Sequence, residues 1–330
     1  MILSQAQNET ANELIDYRDS MSKIIVIGSS NTDMIVKVPR IPTPGETILG
    51  GKFIKAAGGK GANQAVAAAR SGGEVTFIAN IGDDILGKEA IEGFKKEGIN
   101  TDYIFVDQEA PSGVALIFVG DDGENSIAVA SGANATLAPS NINQIDQVIA
   151  KGDILLTQLE TPLETIEAAV NFAKRYGVKV ILNPAPAQKL NDELLKQVDI
   201  LTPNQSEAEL LTGIKVQDES SAEKAAEILR SRGVEAVIIT LGAEGAFVMT
   251  QQIQKIIPGF RVQAEDTTAA GDTFNGALAV GLADGKKFEE AVVWAHAASA
   301  LSVTRLGAQL SIPSNIEIRE FLSARDISYD

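Results

Sequence analysis

The residues that can do chemistry are concentrated in Asp266-Thr267-Thr268-Ala269-Ala270-Gly271-Asp272-Thr273-Phe274-Asn275-Gly276. This stretch stands between Phe260–Gln263, which reads as a strand, and the small apolar run Ala277–Leu282, which reads as helix. Two alanines and a glycine at a helix start leave backbone N–H groups unpaired at the positive end of the helix dipole. Such a spot suits an anion such as phosphate. Gly271 has no side chain to obstruct a ligand. The Asp272 carboxylate would repel that anion unless it has work to do, and accepting a proton from a hydroxyl that attacks phosphorus is work that fits. The alternative is that Asp272 is only an N-cap.

Such a turn needs a sheet behind it. Lys23-Ile-Ile-Val-Ile-Gly28 is a buried strand ending in Gly28-Ser-Ser-Asn31-Thr-Asp33, polar residues where α/β sheets place ligand groups. Met34–Val38 and Ile48–Lys55 then read as extra strands around Pro39, Pro42 and Pro44, in place of the usual helix. Gly58-Gly59-Lys60-Gly61-Ala62-Asn63-Gln64 is a second glycine-rich helix start, leading into Ala65–Arg70. It is not a P-loop, and no GxGxxG occurs in the chain. Gly82–Lys88 comes nearer a P-loop, but Glu89 replaces the required Ser or Thr, so it reads as a turn and helix start.

Val75–Ala79 is predicted as strand, Ile85–Glu97 as helix closed by Gly98, and Val114–Val119 with Ser126–Ala130 as a strand pair. A βα rhythm follows. Its strands are Ile154–Gln158, Val178–Leu182, Ile200–Thr202 and Ala236–Thr240; its helices are Leu163–Tyr176, Glu207–Leu211, Ala222–Arg232 and Phe288–Arg305. The alternation predicts an α/β fold with a mostly parallel sheet, helices on both faces and a small extra sheet that could cover a site. Residues 1–20 read as a polar extension and 21–330 as a single domain, with extra strands from about 33–57 and 112–131.

Composition narrows the partners. The net charge of −16 argues against nucleic acid and anionic membranes. There is no cysteine and a single histidine, His296, which excludes disulfides and multi-histidine metal sites. No apolar run is long enough to span a bilayer, and the first residues lack the features of a signal peptide, so a cytoplasmic location is expected.

Together, Gly28–Asp33, Pro42–Thr47, Gly58–Ala67, Thr202–Glu207, Asp266–Gly276 and Val303–Gln309 resemble the ribokinase family of PfkB-type carbohydrate kinases, in order from about Lys23 to the C-terminus. The resemblance implies transfer of the ATP γ-phosphate to the 5-hydroxyl of D-ribose. By match, Asp272 is the catalytic base and the N–H groups of Ala269, Ala270 and Gly271 form the anion hole. Asn31, Asp33, Gly59, Lys60, Asn63 and Glu160 match sugar-binding positions, an acceptor and donor set suited to several hydroxyls. Asn204, Thr240, Gly242, Gly245 and His296 match the nucleotide side. In isolation His296 would be a satisfied core histidine, and the match makes it an adenine contact.

The resemblance also implies a potassium site at Asp266, Thr268, Ser302, Arg305, Gly307 and Ser311, several of them through backbone carbonyls. Magnesium would arrive with ATP, and Glu207 matches the motif linked to it. The extra strands would form a lid over the sugar, and two lids would pack into a homodimer. Leu310 and Leu306 depart from the proline and lysine common in ribokinases, and Ser30 and Thr32 also differ from many. The alternatives are another sugar or nucleoside kinase, such as a deoxyribose kinase, and a non-catalytic sensor on the same fold.

Overall fold

The computed structural model describes residues 22–49 and 51–327. The predicted polar extension, residues 1–20, lies outside the described residues. Two sheets organise the chain. The large one runs β13-β12-β11-β10-β9-β8-β1-β4-β5, and the small one β3-β2-β6-β7. The strands are β1 Lys23–Ile27, β2 Asn31–Val38, β3 Lys52–Gly58, β4 Glu74–Gly82, β5 Ile104–Asp107, β6 Gly113–Gly120 and β7 Asn125–Ala130. They continue with β8 Ile154–Thr157, β9 Lys179–Leu182, β10 Ile200–Leu201, β11 Ala236–Thr240, β12 Gly245–Met249 and β13 Gln254–Pro258. The longer helices are α1 Lys60–Arg70, α2 Ile85–Lys96, α3 Leu163–Tyr176, α4 Gln205–Thr212, α5 Glu219–Ser231, α6 Ala270–Ala283, α7 Phe288–Ser302 and α8 Asn315–Ser323.

From β5 to β11 the large sheet is parallel, and β12 and β13 close it as an antiparallel edge. Its central strands are apolar because both faces are covered. Ile24 and Val26 of β1 pack with α1, α6 and α7 on one face, while Ile25 and Ile27 pack with α3 and α5 on the other. This period of two follows from side chains alternating across a strand. β1 pairs with β4 on one side and β8 on the other, both parallel, so strand order reverses there. The carboxyl ends at such a reversal form the crevice where α/β sheets take ligands.

The small sheet springs directly from that crevice. β2 follows β1 after three residues and pairs with β3 antiparallel and β6 parallel. It is thin and open: every residue of β7 is exposed. On one face Ile127 and Val129 are 55% and 53% exposed, and on the other Phe53 and Leu116 are 59% and 50% exposed.

Several boundaries differ from the sequence reading. Phe260–Gln263 is not a strand: β13 ends at Pro258, and Gly259 turns back to donate its N–H to the Glu244 carbonyl. Phe260 then leaves the sheet to pack edge-on against Phe321 of α8. The second extra strand begins at Lys52 rather than Ile48, and α7 stops at Ser302 rather than Arg305.

Candidate active site

The Ala269–Asp272 turn sits at the start of α6, whose cap residue Ala269 adopts the left-handed conformation at φ 58. That conformation is costly for alanine. It leaves the N–H groups of Ala269 and Gly271 without an acceptor among the described residues, while Ala270 donates a long 3.3 Å bond to the Thr267 carbonyl. Behind the turn, the Ala270 and Gly271 carbonyls accept from Ser299 Oγ and Asn275 Nδ2 at 3.0 and 2.8 Å.

Asp272 is not the cap. It lies one turn in, 6% exposed, and neither oxygen serves its own helix. Oδ2 accepts from Asn63 Nδ2 and Oδ1 from Gln64 Nε2, both at 3.0 Å. Burial pushes the carboxyl above its usual range. The Lys60 ammonium and the two amides pull against that shift, and the charge of Glu160 adds to it. This meeting of α1 and α6 depends on Gly276, where a Cβ would come within 2.5 Å of the Ala67 Cβ.

Beside the turn opens a cavity of about 220 Å³ lined by Lys60, Asn204, Glu207, Thr240, Thr267 and the Ala269–Asp272 segment, among others. Burial lowers the proton affinity of Lys60, but Asp272, Glu160 and Glu207 outweigh it, so its ammonium is held above the ordinary lysine range. The cavity thus pairs free N–H groups with a firmly charged cation, the two things a phosphate needs.

Asp33 stands within electrostatic reach of Glu160 and Asp272, and Asn31 begins the same strand. Burial, then Glu160 and Asp272, push the Asp33 carboxyl up to about 6. It lies over Gly58, where a Cβ would come within 2.3 Å of its oxygen. Asn31 Oδ1 accepts from Asn134 Nδ2 at 2.8 Å. Glu160 accepts from Ser29 Oγ and from the Lys60 N–H, which ties the end of β8 to the ends of β1 and α1. Gly59, at φ 89, caps α1 where a Cβ would lie 2.7 Å from the Asn31 nitrogen.

The nucleotide-side set is only partly gathered here. Asn204 and Thr240 form a bridge between neighbouring strand ends and line the cavity. Gly242 starts a short 3-10 turn, and Gly245 begins β12, where a Cβ would meet the Ile257 carbonyl at 2.2 Å. Neither glycine nor His296 lines the cavity. His296 is 6% exposed in α7, with its ring 5.2 Å from that of Phe274. Burial pulls its pKa down to about 4 and so keeps it neutral, and Nε2 has no partner among the described residues. Glu207 is occupied in a capping box with Asn204, accepting its N–H at 2.8 Å.

Of the residues matched to a cation site, Thr268 and Gly307 meet the Asp266 carboxylate. Oδ1 accepts from the Thr268 N–H and hydroxyl at 2.9 and 2.6 Å, and Oδ2 from the Gly307 N–H at 2.9 Å. Ser302 and Ser311 are fully buried and donate to local carbonyls. The Arg305 side chain turns away to Glu317. Asp266 is the one carboxylate in the matched set, and both its oxygens are met by N–H or hydroxyl donors. Among the described residues no three His, Cys, Asp or Glu come together to hold a metal.

Several residues beyond the sequence-derived set belong to this site. Gln64, Gln158, Asn183, Thr202 and Asn275 form a buried amide and hydroxyl chain behind Asp272, and Asn134 holds Asn31. Gln64 stands inside the glycine-rich helix start and Asn183 at a strand end, so both carried a positional signal. Asn134 carried none.

The fold is that of a carbohydrate kinase, as the comparisons show. Residues 21–315 match the pfkB family carbohydrate kinase profile, and the chain belongs to that family. It is 52% identical over 299 residues to a ribokinase of Haemophilus influenzae, covering 91% of this chain and 98% of the relative. It is 39% identical over 304 residues to a deoxyribokinase of Salmonella typhi, covering 92% and 99%. The solved structure of an Arabidopsis thaliana ribokinase complexed with ribose and ATP superposes with a TM-score of 0.86 at 34% identity, covering 92% and 99%. The chain is an ATP-dependent carbohydrate kinase.

Proposed function

We propose that the acceptor is D-ribose and the product D-ribose 5-phosphate. The choice of ribose is carried by the 52% identity with a ribokinase over almost its full length. The transfer step is carried by the Asp272 carboxylate, buried and gripped by two α1 amides beside the free N–H groups of the α6 start. The sugar would lie among Asn31, Asp33, Gly59, Asn63 and Glu160, with its 5-hydroxyl at Asp272. That hydroxyl oxygen attacks the γ-phosphorus, its proton passes to Asp272, and ADP leaves. The N–H groups of Ala269, Gly271 and, on release from Thr267, Ala270 would stabilise the charge on the transferring group. Lys60, which feels Asp272, Glu160 and Glu207, would follow that charge from the sugar to the nucleotide side.

ATP would extend past Asn204 and Thr240, with Gly242, Gly245 and His296 further along. Potassium would be held at Asp266, Thr268, Ser302, Arg305, Gly307 and Ser311, the arginine through its backbone, and would order the turn. Magnesium would come with the nucleotide, keeping much of its water, and Glu207 would position that end through α4. The small sheet would act as a lid, and its apolar faces would pair two chains into a homodimer. A cytoplasmic location is proposed with the use of ATP, and no helix among the described residues is long and apolar enough to cross a membrane.

The similarity to a deoxyribokinase makes 2-deoxyribose the second acceptor to weigh. The base assignment is tested with Asp272→Asn. Its fold and ATP binding should persist while kcat falls by about 10²–10⁴-fold. Retained turnover would remove Asp272 from the chemistry.

A further inference from the structure

Gln64 touches Asp272 yet has no solvent exposure, unlike Asn63 beside it. Its amide is fully committed. Nε2 donates to Asp272 Oδ1 at 3.0 Å and to Asn183 Oδ1 at 3.1 Å, and Oε1 accepts from Gln158 Nε2 at 2.6 Å. A flipped amide would turn oxygen on oxygen at two contacts and N–H on N–H at the third, so the orientation is fixed. Gln158 is itself 1% exposed and wedged against Gly28, where a Cβ would come within 2.1 Å of its Oε1. Asn183 is held in turn by donating Nδ2 to the Thr202 carbonyl at 3.0 Å. Groups from the ends of β8 and β9 thus converge on the Gln64 amide, the second held in turn from the end of β10, and Gln64 carries their hold to one carboxylate oxygen. An apolar core would fill this space at less desolvation cost, so the chain of amides is there to orient something.

We infer that Gln64 is a positioning residue for the phosphoryl-transfer step: it anchors Oδ1 of Asp272 so that Oδ2 faces the attacking hydroxyl, and Gln158 locks Gln64 in the donating orientation. This rests on the reading of Asp272 as the base. The same donation helps keep that base ionised. Burial pushes Asp272 up. Lys60 and Asn63 of α1 share with Gln64 the work of holding it down, and Glu160 after β8 pushes it up further. Asp33 of the small sheet and Glu207 of α4 also face it and are charged when ionised. Without the Gln64 N–H, Asp272 takes its proton at higher pH.

The test is Gln64→Met, with kcat measured at saturating ribose and ATP from about pH 5 to about pH 9. Saturation removes the contribution of Asp33 to sugar capture. At pH 7, kcat should fall roughly 10–100-fold, as for loss of one hydrogen bond to a charged group. Both KM values should stay within about three-fold. The acid limb of the kcat profile should move up by about one pH unit. Gln158→Met should show the same displacement without touching Asp272. A folded Gln64→Met with the parent's kcat and acid limb, or with only the sugar KM raised, would overturn the inference. If Gln64→Met does not fold, Gln158→Met decides on the same criteria. Asp272→Asn runs alongside. If it stays active, the base reading falls and this inference with it; if it is dead while both methionine variants match the parent, this inference alone falls.

Discussion

At the scale of single residues, the site is a set of charges raised out of water and balanced against one another. Asp33 shows the consequence. Its carboxyl is shifted from 3.8 up to about 6 by burial and by the neighbouring carboxylates. Between those values the folded protein binds a proton that the unfolded chain has released, so this group's contribution to stability declines as pH rises through that window. Asp33→Asn is therefore expected to raise stability at pH 7.5 by about 1 kcal/mol, a figure discounted for solvent screening of a half-buried group. Thermal melts at pH 5 and pH 7.5 check it, with the gain confined to the higher pH. The same variant should raise the sugar KM roughly 10–100-fold at neutral pH. Asp272, Asp33 and Lys60 were legible in the sequence because each stands in a stretch with its own backbone signature. Gln64 stands in the same stretch as Lys60 and shared its positional signal, but was passed over because a glutamine on a helix gives no sign of burial until the packing partner, α6, is known.

Elements explain why such side chains meet at all. α1 reaches the crevice because Gly61 lets its backbone approach β1: a Cβ there would lie 2.5 Å from the Gly28 carbonyl carbon and the Ser29 nitrogen. Backbone cannot rotate aside as a side chain can. Gly61→Ala is expected to push α1 outward, cost about 1–3 kcal/mol by overpacking, and misplace Asn63 and Gln64 together. Denaturant unfolding and kcat measure the two effects, and an unchanged kcat would mean that α1 tolerates the shift. The βα rhythm was readable because buried parallel strands are unbroken apolar runs, as in Ile24–Ile27 and Val237–Ile239. The antiparallel edge was not. Gly245–Met249 and Gln254–Pro258 are joined by a short polar turn, and Phe260–Gln263 has the alternation of a strand yet packs on α8 instead. Periodicity reports that a residue is buried, not against what.

For the whole molecule, the thin sheet is the feature that bears on assembly. β7 is exposed along its length, and apolar side chains emerge on both faces. Exposed apolar surface of this kind is what the proposed homodimer would bury. The homodimer proposed through these sheets is expected to be lost in Ile127→Asp, read as a halved mass by analytical ultracentrifugation; an unchanged mass would place the interface elsewhere, or show a monomer from the start. The residue pattern reached this sheet as extra strands where a helix was expected, and the resemblance added a lid and a homodimer; which of its side chains stay exposed cannot be seen in a string of residues.

The central claim, that this carbohydrate kinase acts on D-ribose, is met most directly by ATP-dependent ADP release with D-ribose, 2-deoxyribose, fructose 6-phosphate, adenosine or no sugar, each with and without potassium. The expected result is strongest turnover on ribose, raised by potassium. Clear preference for another acceptor, or ADP release equal without sugar, would contradict it.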